Sequence, residues 1–128
     1  MKLLLRFNTK VIKEPVIATA ILRTRVLINI VRAHVEATSG EVVVDVPNEA
    51  VDQVFKTFSE LGVEAYKLEK PIIRSEEECV HCGACISICP LKVFSFNKDW
   101  TVSLNPSHCI QCGTCIPSCP HRALSLSR

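Results

Sequence analysis

A chain of 128 residues carries a formal net charge of +2, holds eight cysteines, and is 48% hydrophobic but only 5% aromatic. With no basic run and no aromatic ladder, that balance argues against nucleic-acid binding. The longest apolar run, residues 16–22 with Thr19 inside it, is too short to span a bilayer, and the first six residues lack the apolar core and cleavage site of a signal peptide, so a cytoplasmic protein is expected.

Leu3, Leu5 and Phe7 alternate with Lys2, Arg6 and Asn8, which predicts a half-buried strand over 2–8. Residues 9–14 read as a loop, and Pro15 suits the first turn of a helix over 16–24, where Val16, Ile17, Ala20 and Ile21 keep helical spacing. The β-branched stretch 26–36 predicts a long strand. Ser39-Gly40 then turns the chain into a strand over 41–46 with Val42, Val44 and Val46 on one face. Asn48 is the expected N-cap of a second helix, whose stripe of Ala50, Val51, Val54, Phe55, Phe58 and Leu61 stops at Gly62. A short strand over 63–68 closes the series. The fold class is α+β: a β-α-β-β-α-β split sandwich over 1–70, with a four-stranded antiparallel sheet carrying two helices on one face. Apolar residues on both sides of the second strand (Ile28 and Ile30 against Leu27, Val31, Ala33 and Val35) predict either that the helix-free face is covered, by a second copy in a homo-oligomer or by a partner, or that a bulge or strand end breaks the pattern. Residues 71–78, with Pro71 and three consecutive glutamates, read as a linker.

Residues 79–128 form the second domain, in which one twelve-residue pattern occurs twice, thirty residues apart. Cys79-Val80-His81-Cys82-Gly83-Ala84-Cys85-Ile86-Ser87-Ile88-Cys89-Pro90 is followed by Cys109-Ile110-Gln111-Cys112-Gly113-Thr114-Cys115-Ile116-Pro117-Ser118-Cys119-Pro120. This is the bacterial-type ligand run for two [4Fe–4S] clusters. Three cysteines at intervals of three can wrap three corners of one cube, while the fourth reaches the neighbouring cube. The expected ligands are Cys79, Cys82, Cys85 and Cys119 for cluster I, and Cys109, Cys112, Cys115 and Cys89 for cluster II. Four-cysteine zinc sites instead space two CxxC pairs along a longer loop, and disulfides suit exported domains.

Between the runs, 93–97 and 100–104 flank Lys98-Asp99 as a hairpin. Phe94 and Phe96 correspond to Leu124 and Leu126 of the second copy; with Val80, Ile86, Ile110 and Ile116 they are expected to form a dry shell around the cubes. Each oxidised cube with its thiolates adds about −2, so the loaded protein would sit near −2 rather than +2. Both thiolate sets are complete, so His81, His108 and His121 are not expected to bind iron. Asn29 reads as a local backbone partner and Glu76-Glu77-Glu78 as a solvated run. No nucleophile–base pair or phosphate loop appears, so no catalytic residues are expected and the chemistry is one-electron transfer to redox partner proteins.

The front half, through Pro15-Val16-Ile17, Asn29-Ile30 and Gly40-Glu41-Val42-Val43-Val44-Asp45-Val46, resembles the NIL domain, a small ligand-sensing module. Val31 stands where that family's name-giving motif has leucine. A NIL domain followed by a two-cluster ferredoxin is similar to small archaeal and anaerobe proteins linked to homocysteine formation. The resemblance implies a partner enzyme that converts aspartate semialdehyde and sulfide to homocysteine, with the ferredoxin supplying electrons for sulfur amino-acid synthesis. The alternative is a general ferredoxin or regulatory protein whose NIL domain senses methionine or a relative.

Overall fold

Strand β1 (Lys2–Phe7) lies inside a four-stranded sheet because Leu3, Leu5 and Phe7 bury one face while Leu4 buries the other. A computed structural model describes residues 1–127, and the chain divides into two units, Met1–Leu68 and a second from Glu69 onward. In the first, α1 (Val16–Thr24), β2 (Asn29–Val35), β3 (Gly40–Asp45), α2 (Val51–Glu60) and β4 (Glu64–Leu68) follow β1. The sheet order is β2-β3-β1-β4, and every pairing is antiparallel. Val16 and Ala20 of α1 and Val51, Val54 and Phe58 of α2 pack on Leu3, Leu5, Val42 and Val44 in one core. Helix α2 ends as its sequence requires: Gly62, at φ 85, donates to Ser59 O, and Val63 N to Phe58 O, the paired bonds of a glycine-terminated helix.

Three expectations for this unit change. Strand β2 starts at Asn29 rather than 26, because α1 closes on Arg25 in a left-handed conformation. Residues Val26 and Ile28 then cross to the sheet, packing on the core without joining the ladder. Asn48 does not cap α2: a 3₁₀ turn (Asn48–Ala50) precedes the helix, and the Asn48 Oδ1 accepts from the Met1 nitrogen at 2.8 Å. The strict alternation expected along β2 is broken by a bulge between Ile30 and Arg32. Ile30 pairs with Val44, and Ala33 with Val42, so these residues lie on the helix side despite their odd spacing. One extra residue has reset the pleat. Val31 turns to the other face and packs on Leu4, Val43 and Leu68, which are already buried within the single chain. The bulge, the alternative weighed from the sequence, thus accounts for Val31, while Leu27, Ile30 and Val35 remain exposed.

In the second unit, strands β5 (Ile72–Arg74) and β8 (Leu124–Leu126) pair, as do β6 (Phe94–Phe96) and β7 (Val102–Leu104). Helices α3 (Ala84–Ile88) and α4 (Cys115–Ser118) sit inside the cysteine runs. The segment 71–78, expected as a linker, thus contains a strand. Ile72 is buried against Val93, Phe94, Val102 and Leu124, and the Arg74 Nη1 donates to Val102 O. The thirty-residue repeat extends to these strands, since Ile72 and Val102 occupy equivalent places at the starts of β5 and β7.

Candidate metal centre

Each cysteine run curls because two of its residues adopt left-handed backbone. These are His81 and Gly83 in the first run (φ 58 and 80) and Gln111 and Gly113 in the second (φ 58 and 78); Lys92 and Arg122 repeat the pattern beyond the prolines. Interleaving left- and right-handed residues turns successive N–H groups toward one concave side, which forms a seat for an anionic group such as an iron–sulfur cube. Glycine adopts this conformation without steric cost. At Gly83 a side chain would also meet Phe96, whose Cζ would lie 2.5 Å from an added Cβ.

His81 and Gln111 lack glycine's freedom, and such backbone costs roughly 1–3 kcal/mol per residue. Both side chains make hydrogen bonds of a kind that offsets this, each worth about 1 kcal/mol. The His81 Nδ1 accepts from Val102 N at 2.9 Å. The Gln111 amide, 5% exposed, donates to Pro71 O at 3.0 Å and to Ser127 O. Each ties its loop to the peptide unit that enters the equivalent strand, β7 for His81 and β5 for Gln111. Gln111 was not foreseen as a site residue; its register with His81 across the repeat was the available signal.

The eight thiols divide between two cages. Cys79, Cys82, Cys85 and Cys119 line one, with His121 at its wall; Cys109, Cys112, Cys115 and Cys89 line the other, beside Ile72 and Ile110. The cages are alike in size and each is lined by four thiols, so the same kind of group suits both. Cys85 and Cys89 are one helical turn apart yet face different cages, because α3 stops and Cys89 is extended (φ −82, ψ 115); Cys119 repeats this after α4. Backbone N–H groups approach the sulfurs, Gln111 N to Cys109 Sγ and Ala123 N to Cys119 Sγ at 3.4 Å each. Among the described residues, no three His, Cys, Asp or Glu side chains converge as the ligands of a single ion do. Four thiols spread around a cage fit a polynuclear group with one metal per thiol. Ile86 and Ile116 pack on the neighbouring core, as a dry shell requires; Val80 lines the first cage although it is 56% exposed, and Phe96 and Leu126 are also partly exposed, at 43% and 38%.

Burial raises the Cys85 thiol above its ordinary value, and its neighbours Cys79, Cys82 and Cys119 add to the shift. Burial likewise pushes Cys115 up to about 11, helped by Cys109, Cys112 and Cys89. Metal-free, these thiols hold their protons, so protons compete with iron for them. Iron binding should therefore release protons, and release more of them per iron at pH 8 than it would if these thiols titrated lower. Proton release during anaerobic iron loading measures this; loading that releases no protons at pH 8 would contradict it.

Residues 78–123 match the 4Fe-4S dicluster domain family. Over 105 residues the chain is 42% identical to the L-aspartate semialdehyde sulfurtransferase iron-sulfur subunit of Methanosarcina acetivorans, covering 82% of this chain and 81% of that protein. The chain belongs to this family of iron–sulfur subunits. A second member, from Methanocaldococcus jannaschii, is 37% identical over 93 residues, covering 71% of this chain and 70% of its own. Both alignments are longer than the cysteine-rich segment, so the resemblance to these iron–sulfur subunits reaches into the first unit. There, Asn29 lines a shallow open cleft with Asp45 and Asn48. Among the described residues, no helix of this iron–sulfur subunit is long and apolar enough to cross a membrane.

Proposed function

We infer that the protein is the electron-carrying subunit of a cytoplasmic two-component enzyme that forms homocysteine from L-aspartate semialdehyde, and that it holds two [4Fe–4S] clusters. Cluster I is assigned to Cys79, Cys82, Cys85 and Cys119, and cluster II to Cys109, Cys112, Cys115 and Cys89. The observation that carries this reading is the division of eight thiols into two cages of four, each completed by the other run. When bound, each [4Fe–4S] group takes up and releases a single electron.

The overall reaction needs that supply. R–CHO + H₂S + 2 e⁻ + 2 H⁺ gives R–CH₂SH + H₂O, so turning the aldehyde carbon into a thiol consumes two electrons. Two one-electron centres on one chain match this demand. The chain's own residues hold the cubes: the left-handed turns aim N–H groups at the sulfurs, and Ile86 and Ile116 limit water nearby. His81 and Gln111 keep the loops in place from outside. The bond chemistry belongs to the partner enzyme. The β-α-β-β-α-β order of the first unit is the one a NIL-like interaction domain requires.

Protein purified without oxygen should contain about eight iron and eight acid-labile sulfide per chain. Chemically reduced, it should support homocysteine formation by the partner enzyme with two electrons consumed per molecule. Stoichiometric zinc without sulfide would overturn the cluster reading. Full homocysteine yield from partner enzyme alone, with no gain from the reduced protein, would overturn the electron-carrier role.

A further inference from the structure

The two halves of the cluster unit are built alike but differ in what stands over each cage. In the first half, Phe96 of β6 lies over Gly83, close enough that its Cζ would sit 2.5 Å from an added Cβ. In the second half Leu126 takes that place, with its Cδ1 at 3.7 Å from the equivalent point at Gly113. Phe96 is 43% exposed and meets Trp100 edge-on, ring centres 5.6 Å apart. Trp100, the single tryptophan of the chain, is 74% exposed.

An exposed tryptophan on a loose turn would be unremarkable, but this turn is held firmly. Asn97 N donates to Thr101 O at 2.7 Å and Trp100 N to Asn97 O at 3.0 Å. The Asn97 Nδ2 donates to Thr101 Oγ1 at 3.0 Å, and the Thr101 N–H and hydroxyl both donate to Asp99 Oδ1. Trp100 itself is left-handed at φ 66. A large flat side chain fixed in advance loses little freedom on contact, the property of anchor residues at protein interfaces.

The surroundings state what kind of surface fits. Asp99 lies within the turn and Glu76, Glu77 and Glu78 directly precede Cys79, all four exposed. Arg74 donates to Val102 O and pairs with Glu76 at 3.7 Å, which brings Glu76 to the hairpin, while Lys98 is exposed beside Asp99 and His81 acts on Asp99 from the first cysteine run. A [4Fe–4S] group held by Cys79, Cys82, Cys85 and Cys119 would add about −2. An aromatic centre with an acidic rim complements an apolar socket ringed by lysine and arginine.

We propose that the Phe96–Trp100 face of the β6–β7 hairpin is the docking surface for a redox partner protein with a basic-rimmed, apolar approach to its own redox centre, and that electrons leave this chain from cluster I. This rests on the reading of the chain as an electron carrier. Each transfer oxidises cluster I by one electron and reduces the acceptor by one, with no bond made and no proton moved.

The test uses the full-length holoprotein and cytochrome c, whose haem edge is ringed by lysines, as the protein acceptor. A small viologen dye serves as an acceptor that needs no docking. Trp100→Ala should slow electron transfer to cytochrome c about tenfold at low salt, and weaken its calorimetric binding to the same degree. It should keep the wild-type cluster EPR signals and dye rate, and Leu22→Ala, exposed on α1, should match wild type throughout. Glu76, Glu77 and Glu78 changed together to Gln should slow the reaction at low salt and flatten its salt dependence. Wild-type behaviour of Trp100→Ala toward cytochrome c would overturn the docking proposal, as would an equal fall in its dye rate. A wild-type protein that reduces neither acceptor would instead overturn the electron-carrier reading beneath it.

Discussion

Cys89→Ala should strip cluster II, held otherwise by Cys109, Cys112 and Cys115, and leave the cluster of its sequence neighbours Cys79, Cys82 and Cys85 in place. Iron should fall from about eight to about four per chain. The basis is spatial: Cys89 shares a cage with the second run, while Cys85, four residues earlier, faces the first. Double substitution separates this from a simple loss of stability. Cys89→Ala with Cys109→Ser removes two ligands of one cluster and should cost little more iron than either alone. Cys89→Ala with Cys79→Ser removes one ligand from each and should leave the protein nearly iron-free. Iron and sulfide analysis with EPR reads the outcome, and the reverse pattern would refute the interleaved assignment.

Removing the iron should unfold the second unit and spare the first. The strands of the second unit are three residues long and occur as two separate pairs, and isolated two-stranded pairs are marginal in water. Its few fully buried apolar residues, such as Ile72, Val93, Phe94, Val102 and Leu124, pack against a shell that includes Cys85, Cys89, Cys115 and Cys119. Once the cubes are gone, that shell has no centre, and metal binding becomes folding energy. The first unit has four hydrogen-bonded strands of five to seven residues and a core through Leu3, Leu5, Val44, Val54 and Phe58, with no cysteine in it. A fragment of residues 1–70 should therefore melt cooperatively without iron by circular dichroism, while residues 69–128 should show a cooperative transition only when loaded. A metal-free second unit that still unfolds cooperatively would contradict this account.

Much of the candidate site was legible because its instructions are local. The glycine and the cysteine intervals act within a dozen residues, and their duplication made the thirty-residue register visible. The placing of Cys89 beside the second run and Cys119 beside the first follows the expectation from cluster chemistry that a run of three occupies three corners of a cube. In the first unit, Leu3, Leu5 and Phe7 announced a strand, and the stripe from Val51 to Phe58 announced a helix, because both use one period throughout. Asn48 misled because a side chain suited to capping was engaged by another donor.

By itself, then, the sequence determined the iron–sulfur character and the elements whose hydrophobic period runs unbroken. Only the tertiary structure decided the rest. Strand β5 is too short to show a period, and its place comes from β8, some fifty residues away, and from the burial of Ile72. The bulge after Ile30 carries no proline or glycine to mark it, yet one extra residue decides which face each later side chain of β2 occupies. Gln111 reads as an ordinary polar residue until the fold brings Pro71 and Ser127 to its amide. In each case the deciding energy lies in contacts between distant segments, and no local pattern encodes those.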